Sequence, residues 1–251
     1  MKRLILFIGF IALLAKASAI DPQALVKEGN DFYTKNNFEE AIKKYQAVIS
    51  SGYVSPELYF NLGNSYYKSK NIKSAILYYE RAKLLDPGDK DVEFNLEMAR
   101  ALTVDKIEAV SELFFISWYK WLRSCFSTNI WGGISAVLFI LSLMAFLFYL
   151  QSDKVGQKKF GFWFAVIAFV VSATSFTMAA QLKDIQTADN TAIIFVPTVT
   201  VKSSPADSGT NLFVLHEGSK VEILDQVGEW REIRIADGNR GWIRISNLEI
   251  I

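Results

Sequence analysis

Residues 56–87 read PELYFNLGNSYYKSKNIKSAILYYERAKLLDP, and their pattern decides the architecture of the first half of the chain. Tyr59, Leu62, Gly63 and Tyr66 fall at i, i+3, i+4 and i+7, one stripe of a helix, and Ala75, Tyr79 and Ala82 form the answering stripe of a second. Two antiparallel helices approach closely only where facing positions are small. Gly63 and Ala75 supply those gaps, and rings fill the rest. Pro87 closes the unit because it cannot continue a helix. The same design stands 34 residues earlier, where Gly29, Phe32, Ala41 and Tyr45 precede Gly63, Tyr66, Ala75 and Tyr79. Later in the chain it fades: Phe60-Asn61-Leu62 returns as Phe94-Asn95-Leu96, but Glu97 and Arg100 replace the expected Gly and Tyr. Residues 89–106 therefore read as a cap helix with a polar outer face, so that residues 20–106 form two hairpins and their cap.

The period and its small and aromatic positions resemble tetratricopeptide repeats, helical hairpins that hold other proteins. In that family one face of each first helix lines a concave groove. The resemblance implies Asn30, Tyr33 and Thr34, echoed by Asn64, Tyr67 and Lys68, as groove residues, with Asn61 and Asn95 beside them. An amide both donates and accepts, which suits an extended peptide backbone, although a purely structural role for these asparagines is equally open. The chaperone-tail clamp of the family also needs cations that fix a terminal carboxylate. Gln23 and Asp91 occupy two such positions, so that specificity does not carry over.

Lys2 and Arg3 precede an apolar run from Leu4 to Leu14, and Ala17-Ser18-Ala19 offers a small-x-small cleavage site. Residues 1–19 thus read as an export signal, too short to span about 30 Å of hydrocarbon. Ile130–Leu150 and Phe160–Ala180 carry no charge and are each long enough to cross. Between them, residues 151–159 hold Lys154, Lys158 and Lys159 against Asp153, which places that loop in the cytoplasm and both flanking segments outside. Lys120 and Arg123, ahead of the first span, oppose that orientation. Ala168, Ser172, Ser175 and Ala179 line one side of the second span and let another helix approach, either the first span or another membrane protein. Residues 107–128 interleave Phe114, Phe115, Trp118, Tyr119, Trp121 and Phe126 with Lys120 and Arg123, the composition of a helix lying at the lipid boundary.

The last sixty or so residues change to short alternating runs. Val199-Thr200-Val201, Val221-Glu222-Ile223 and Ile233-Arg234-Ile235 alternate with period two, and Asp237-Gly238-Asn239 is a hairpin signal. A small β barrel follows. Val201-Lys202-Ser203-Ser204-Pro205, Leu215-His216-Glu217-Gly218, Gly228-Glu229-Trp230 and Gly241-Trp242-Ile243 resemble the bacterial SH3 family over residues 191–251. That family is associated with cell-wall peptides or protein ligands, which makes peptidoglycan an alternative partner. Trp230 and Trp242 read as core rings in preference to ligand platforms. The fold class is accordingly a multi-domain membrane protein: all-α tetratricopeptide hairpins, a transmembrane α-hairpin and a C-terminal all-β SH3-like barrel.

With 27 basic and 26 acidic side chains the chain lacks the electrostatic footprint of a nucleic-acid binder. Its length is shared among modules, leaving no single large catalytic core. Cys125 and His216, the only cysteine and histidine, lie in different modules, and no phosphate loop, zinc-binding pair or nucleophile elbow is present. Neither a catalytic set, a cofactor nor a metal site is expected. Cys125 reads as a small apolar residue or as one half of an intermolecular bridge.

The order of modules, from export signal through repeats, aromatic helix and spanning hairpin to SH3-like barrel, resembles over the full length the E-protein family of the Bat aerotolerance operon. The resemblance implies a non-catalytic adaptor of the inner membrane, with both outer modules periplasmic. It also implies von Willebrand A membrane proteins and a MoxR-type ATPase as companions in envelope integrity or stress tolerance.

Overall fold

The computed structural model describes residues 21–108 and 110–251. The expected export signal, residues 1–19, lies outside them. The chain divides after Val54 into two compact units.

The described part of the first unit is one helical hairpin, α1 (Pro22–Thr34) and α2 (Phe38–Ser50). Asp21 caps α1 by accepting from the Gln23 amide at 3.0 Å, and Asn37 caps α2 by accepting from Glu40. Gly29 is buried because the ring of Tyr45 lies against it: a Cβ there would stand 2.5 Å from the ring. Burial pushes the Tyr45 phenol up to about 12.

The second unit opens with the equivalent hairpin, α3 (Pro56–Lys68) and α4 (Ile72–Leu85), capped by Ser55 and Asn71. A Cβ on Gly63 would meet the Tyr79 ring at 2.7 Å, so the glycine is a notch for the ring sixteen residues on. Asp89 then caps α5 (Lys90–Arg100), which stops short of the expected residue 106. Nor is its outer face polar: Phe94, Met98 and, in the following turn, Leu102 are exposed.

After α5 the chain does not enter a boundary helix at once. Ile107 packs on the core of the barrel, and the Val110 amide donates to the Ala236 carbonyl at 3.1 Å. The expected helix over 107–128 is therefore shortened to α6 (Phe114–Ser124), because the residues before it find partners on the barrel. Tyr119 and Leu122 of α6 pack on Trp131, Met178 and Leu182, while Phe114, Phe115, Trp118 and Trp121 remain exposed.

Helices α7 (Thr128–Gln151) and α8 (Val155–Thr187) form an apolar hairpin, each helix long and apolar enough to cross a membrane. At 1.5 Å per residue α8 extends about 50 Å. The expected nine-residue connection shrinks to residues 152–154, since Lys158 and Lys159 join the first turns of α8, and α8 continues past Ala180. Gly161, Ala165, Ala168, Ser172 and Ser175 are buried against α7, so the small-residue side of α8 is answered within the chain. Ser135 and Ser172 each donate to the other's carbonyl, at 3.0 and 2.8 Å, and Ser142 donates to the Ala165 carbonyl at 2.9 Å. Phe139, Leu143, Phe169, Val170 and Phe176 point outward, unlike the helices of a water-soluble core.

Seven antiparallel strands make one sheet in the order β3-β2-β6-β5-β4-β1-β7. They are β1 (Thr191–Ile194), β2 (Thr198–Lys202), β3 (Asn211–His216), β4 (Lys220–Val227), β5 (Trp230–Arg234), β6 (Arg240–Arg244) and β7 (Leu248–Ile250). All seven send a residue into one core of Ala192, Ile194, Val199, Val201, Leu215, Val221, Ile233, Ile243 and Leu248, so the sheet is rolled. Gly238, at φ 92°, makes the β5–β6 turn, with Asp237 accepting from the Asn239 amide at 2.9 Å.

The barrel sits on the repeat. Ile193 is fully buried in a cluster with Ala75, Ile76, Leu77, Tyr79, Leu96 and Ala99. Polar contacts frame this seat: Lys73 reaches the Phe195 carbonyl at 2.9 Å and Glu217 at 2.8 Å, and Arg81 donates to the Ile250 carbonyl at 2.6 Å. Glu80, 4% exposed, is held between Arg100 of α5 and Lys220 of β4. Burial alone would push its carboxyl up, but Lys220 and Arg100 outweigh burial and hold it below the usual range. This explains the faded third copy. A partner helix in a third hairpin would need glycine and tyrosine at positions 97 and 100, whereas the barrel takes that place and its seat uses Arg100 as a charge.

Candidate protein-binding surface

The helix caps and notches fix the rotation of α1 and α3, and with it the expected groove residues. Asn30 of α1 accepts from the Tyr45 hydroxyl at 2.7 Å, and Asn64 of α3 accepts from the Tyr79 hydroxyl at 2.7 Å. These equivalent bonds tie the two helices of each hairpin together, so the asparagine oxygens have a structural duty. Asn64 also accepts from the Asn95 amide of α5 at 2.9 Å, which brings α3 and α5 into register. Asn61 and Tyr67 are half-buried and Lys68 is exposed on α3. On α1, Tyr33 packs edge-on against Phe38 with ring centres 5.4 Å apart, and the exposed Thr34 donates to the Asp31 carbonyl.

Sequence reasoning missed the largest apolar groups beside these amides. Phe94 is 63% exposed and Met98 47%, on the side of α5 away from its buried residues Val92, Leu96 and Ala99. The signal was present, since Phe94, Met98 and Leu102 recur every fourth residue, separately from the packing stripe.

On the barrel, the outer face of β5 and β6 differs from expectation. Burial alternates along β5 so that Arg231 and Ile233 point in while Trp230, Glu232 and Arg234 point out. Trp242 faces Glu232 on one neighbouring strand and Lys202 on the other, and the Arg244 guanidinium lies 5.2 Å from the Trp230 ring centre. Both tryptophans are half-buried and outside the core, because small aliphatic residues already fill the barrel.

The thiol and the imidazole stand in separate settings. Cys125 bonds the Trp121 carbonyl one turn back. His216 meets Asp105 through its Nδ1 at 2.8 Å, and the Ser219 hydroxyl donates to the other Asp105 oxygen at 2.6 Å. Here the carboxylate lies between serine and histidine, so the hydroxyl proton is directed to Asp105 rather than to the ring, the wrong order for an activated nucleophile. Burial raises the Asp105 carboxyl, but the bonds from Ser219 and His216 prevail and lower it. Asp105 thus fastens the α5–α6 connection to the barrel. A cleft of about 630 Å³ lies beside it, lined by Thr103, Ile107, Lys220, Glu222 and Arg234. Its cations are committed to neighbours, Lys220 to Glu80 and Arg234 to Glu222. Among the described residues no cluster of His, Cys, Asp or Glu is placed to hold a metal ion.

A tetratricopeptide repeat family matches residues 26–90, and the bacterial SH3 domain family matches residues 197–249. The chain joins tetratricopeptide hairpins to a bacterial SH3 domain. The first match ends where α5 begins, ahead of Glu97 and Arg100, at which the third copy lacks its glycine and tyrosine. No curated protein matches the chain. Both domain types are non-catalytic binding modules, which supports an adaptor role.

Proposed function

We propose that the chain is an inner-membrane scaffold that presents its repeat and its barrel together on the periplasmic side and holds a partner protein on the α3–α5 face. The observation that carries this reading is the barrel's seat: it engages Lys73, Glu80 and Arg81 of α4 and leaves Lys68 of α3 and Phe94 of α5 exposed. Helices α7 and α8 cross the bilayer, the export signal and the lysines near residues 152–159 set the orientation, and the exposed rings of α6 lie at the lipid boundary. The module order favours a Bat-type assembly, in which von Willebrand A membrane proteins are the partners and a MoxR-type ATPase acts with them. Co-purification from gently solubilised membranes tests this. A von Willebrand A protein is expected with the parent chain and depleted with Tyr67→Ala combined with Lys68→Glu; undiminished capture by the folded variant refutes the α3–α5 face.

A second reading is a peptidoglycan tether, favoured by the outward Trp230 and Trp242 with Arg244 beside them. Retention of the full chain on purified wall material, lost in Trp242→Ala, would establish it. Reporter fusions at residues 152–154 and after Ile251 are expected inside and outside, respectively.

A further inference from the structure

The α3–α5 face carries its own ligand chemistry. Along α5, Phe94 and Met98, followed by Leu102 in the next turn, are 63%, 47% and 58% exposed and form one stripe. Such a contiguous apolar strip in water marks a contact surface rather than a scattered exposed residue. The amides of Asn64 and Asn95 lie bonded beside it. At one end of the face, Glu57 in the first turn of α3 and Asp91 in the first turn of α5 occupy equivalent positions, are exposed, and make no ion pair with a described residue. Acids in a first turn also favour their own helices through the backbone dipole. That benefit is local and leaves both carboxylates facing solvent. The neighbouring Glu93, by contrast, is bound to Lys83 at 2.8 Å. The face is therefore graded, with carboxylates at one end, amides and apolar groups in the middle, and Leu102 and the exposed Lys68 toward the helix ends.

Resting on the reading of this face as the partner site, we propose that its occupant is a basic, apolar segment of a partner protein, with its cations at Glu57 and Asp91 and its apolar side chains on Phe94, Met98 and Leu102. Opposite charge steers and orients such a segment, and the apolar stripe supplies the desolvated contact. An acidic or carboxylate-terminated peptide meets two like charges and is rejected.

The test uses the full chain in nanodiscs of zwitterionic lipid, with empty nanodiscs as blank, and two labelled twelve-residue peptides. One carries Lys and Arg ahead of a Leu- and Phe-rich stretch; the other has Glu and Asp at the same places. The basic peptide is expected to bind about tenfold more tightly, read by fluorescence anisotropy. Glu57→Lys with Asp91→Lys should reverse the preference, and Phe94→Ser with Met98→Ser should weaken both peptides while the circular dichroism of the chain stays unchanged. Equal affinities, an unreversed preference, or failure of both peptides overturns the inference. Loss of partner co-purification in the Tyr67→Ala, Lys68→Glu variant, seen together with such a failure, would leave the partner site standing and its assigned chemistry wrong. Concentration-dependent pairing of the chain, abolished by Met98→Ser, would assign the stripe to a second copy and likewise overturn it.

Discussion

The hairpins α3–α4 and α7–α8 are both antiparallel helix pairs, closed by opposite means. In α3–α4 a glycine admits a whole tyrosine ring, whose hydroxyl then bonds Asn64 across the pair. In α7–α8 small residues meet along the contact, and hydroxyls of Ser135, Ser142 and Ser172 bond backbone carbonyls of the facing helix. Water explains the first arrangement, because burying a tyrosine removes on the order of 200 Å² from solvent. With α7 and α8 read as membrane helices, lipid accounts for the second, because apolar side chains gain nothing by leaving it and close backbone approach must supply the contact. The seat of the barrel is a third solution, an apolar patch framed by buried charge. Each closure fails in its own way.

The largest loss is expected where charge is stranded. Arg100→Ala with Lys220→Ala leaves the buried Glu80 carboxylate alone and should destabilise the second unit by about 3–5 kcal/mol in denaturant titration. Glu80→Gln should cost less, since both cations are substantially exposed and can turn to water. Acid separates the two effects. The folded Glu80 and Asp105 carboxyls lie below their ordinary range, so their contribution is complete above the unfolded values and fades as pH falls through the folded ones. Hydrogen exchange in α4 and β1 should accelerate below about pH 4, and more weakly so in Glu80→Gln. An acid response unchanged by that substitution would remove charge from the account of the seat.

Substituting the two notch glycines compares the hairpins directly. A methyl group on Gly63 meets the enclosed Tyr79 ring at 2.7 Å, whereas on Gly161 it meets Phe148 at 3.1 Å and the Ala145 carbonyl at 3.2 Å. Gly63→Ala gains up to about 1 kcal/mol in helix propensity but loses about 1–3 by overpacking, a net loss of about 1–2. Gly161→Ala should lose less than Gly63→Ala, since its neighbours, Phe148 and the backbone at Ala145 and Tyr149, need give only a few tenths of an ångström. Equal losses would erase the distinction. Tyr79→Phe keeps the ring in the notch and removes the hydroxyl that bonds Asn64, at about 1 kcal/mol. Thermal melting ranks these variants.

Periodicity made the hairpins legible, because Gly63 and Tyr79 are local signals repeated at Gly29 and Tyr45. The two long apolar helices and the strands were legible for the same reason, each being a run of one pattern. What escaped was tertiary. Ile107 carries nothing in its neighbourhood to say that it packs on a barrel more than eighty residues further on. Arg100 read as a defect of the third copy until Lys220 and Glu80 gave it partners. The tryptophans were placed in the core on size, but β5 and β6 alternate in a phase that only their register reveals. Of the expected groove set, Asn64 and Asn95 meet, while the apolar Phe94 and Met98 beside them were hidden by the expectation that a cap presents a polar face.

The smallest effect distinguishes the hairpins most sharply. Ser172→Ala removes a donor that bonds the Ser135 carbonyl at 2.8 Å, yet keeps the small volume that lets α7 and α8 touch. If close approach closes this pair, the loss is about 0.6 kcal/mol, the ordinary worth of such a bond between membrane helices. Ser172→Leu retains no donor either, but adds bulk at a buried contact and should cost several times more. Titration of the reconstituted chain with denaturing detergent, followed through the exchange of α7 amides, separates the two variants. Should alanine prove as damaging as leucine, the reciprocal hydroxyls rather than the small side chains would be what closes this pair, and it would depend on its polar bonds more than α3–α4 does on Tyr79.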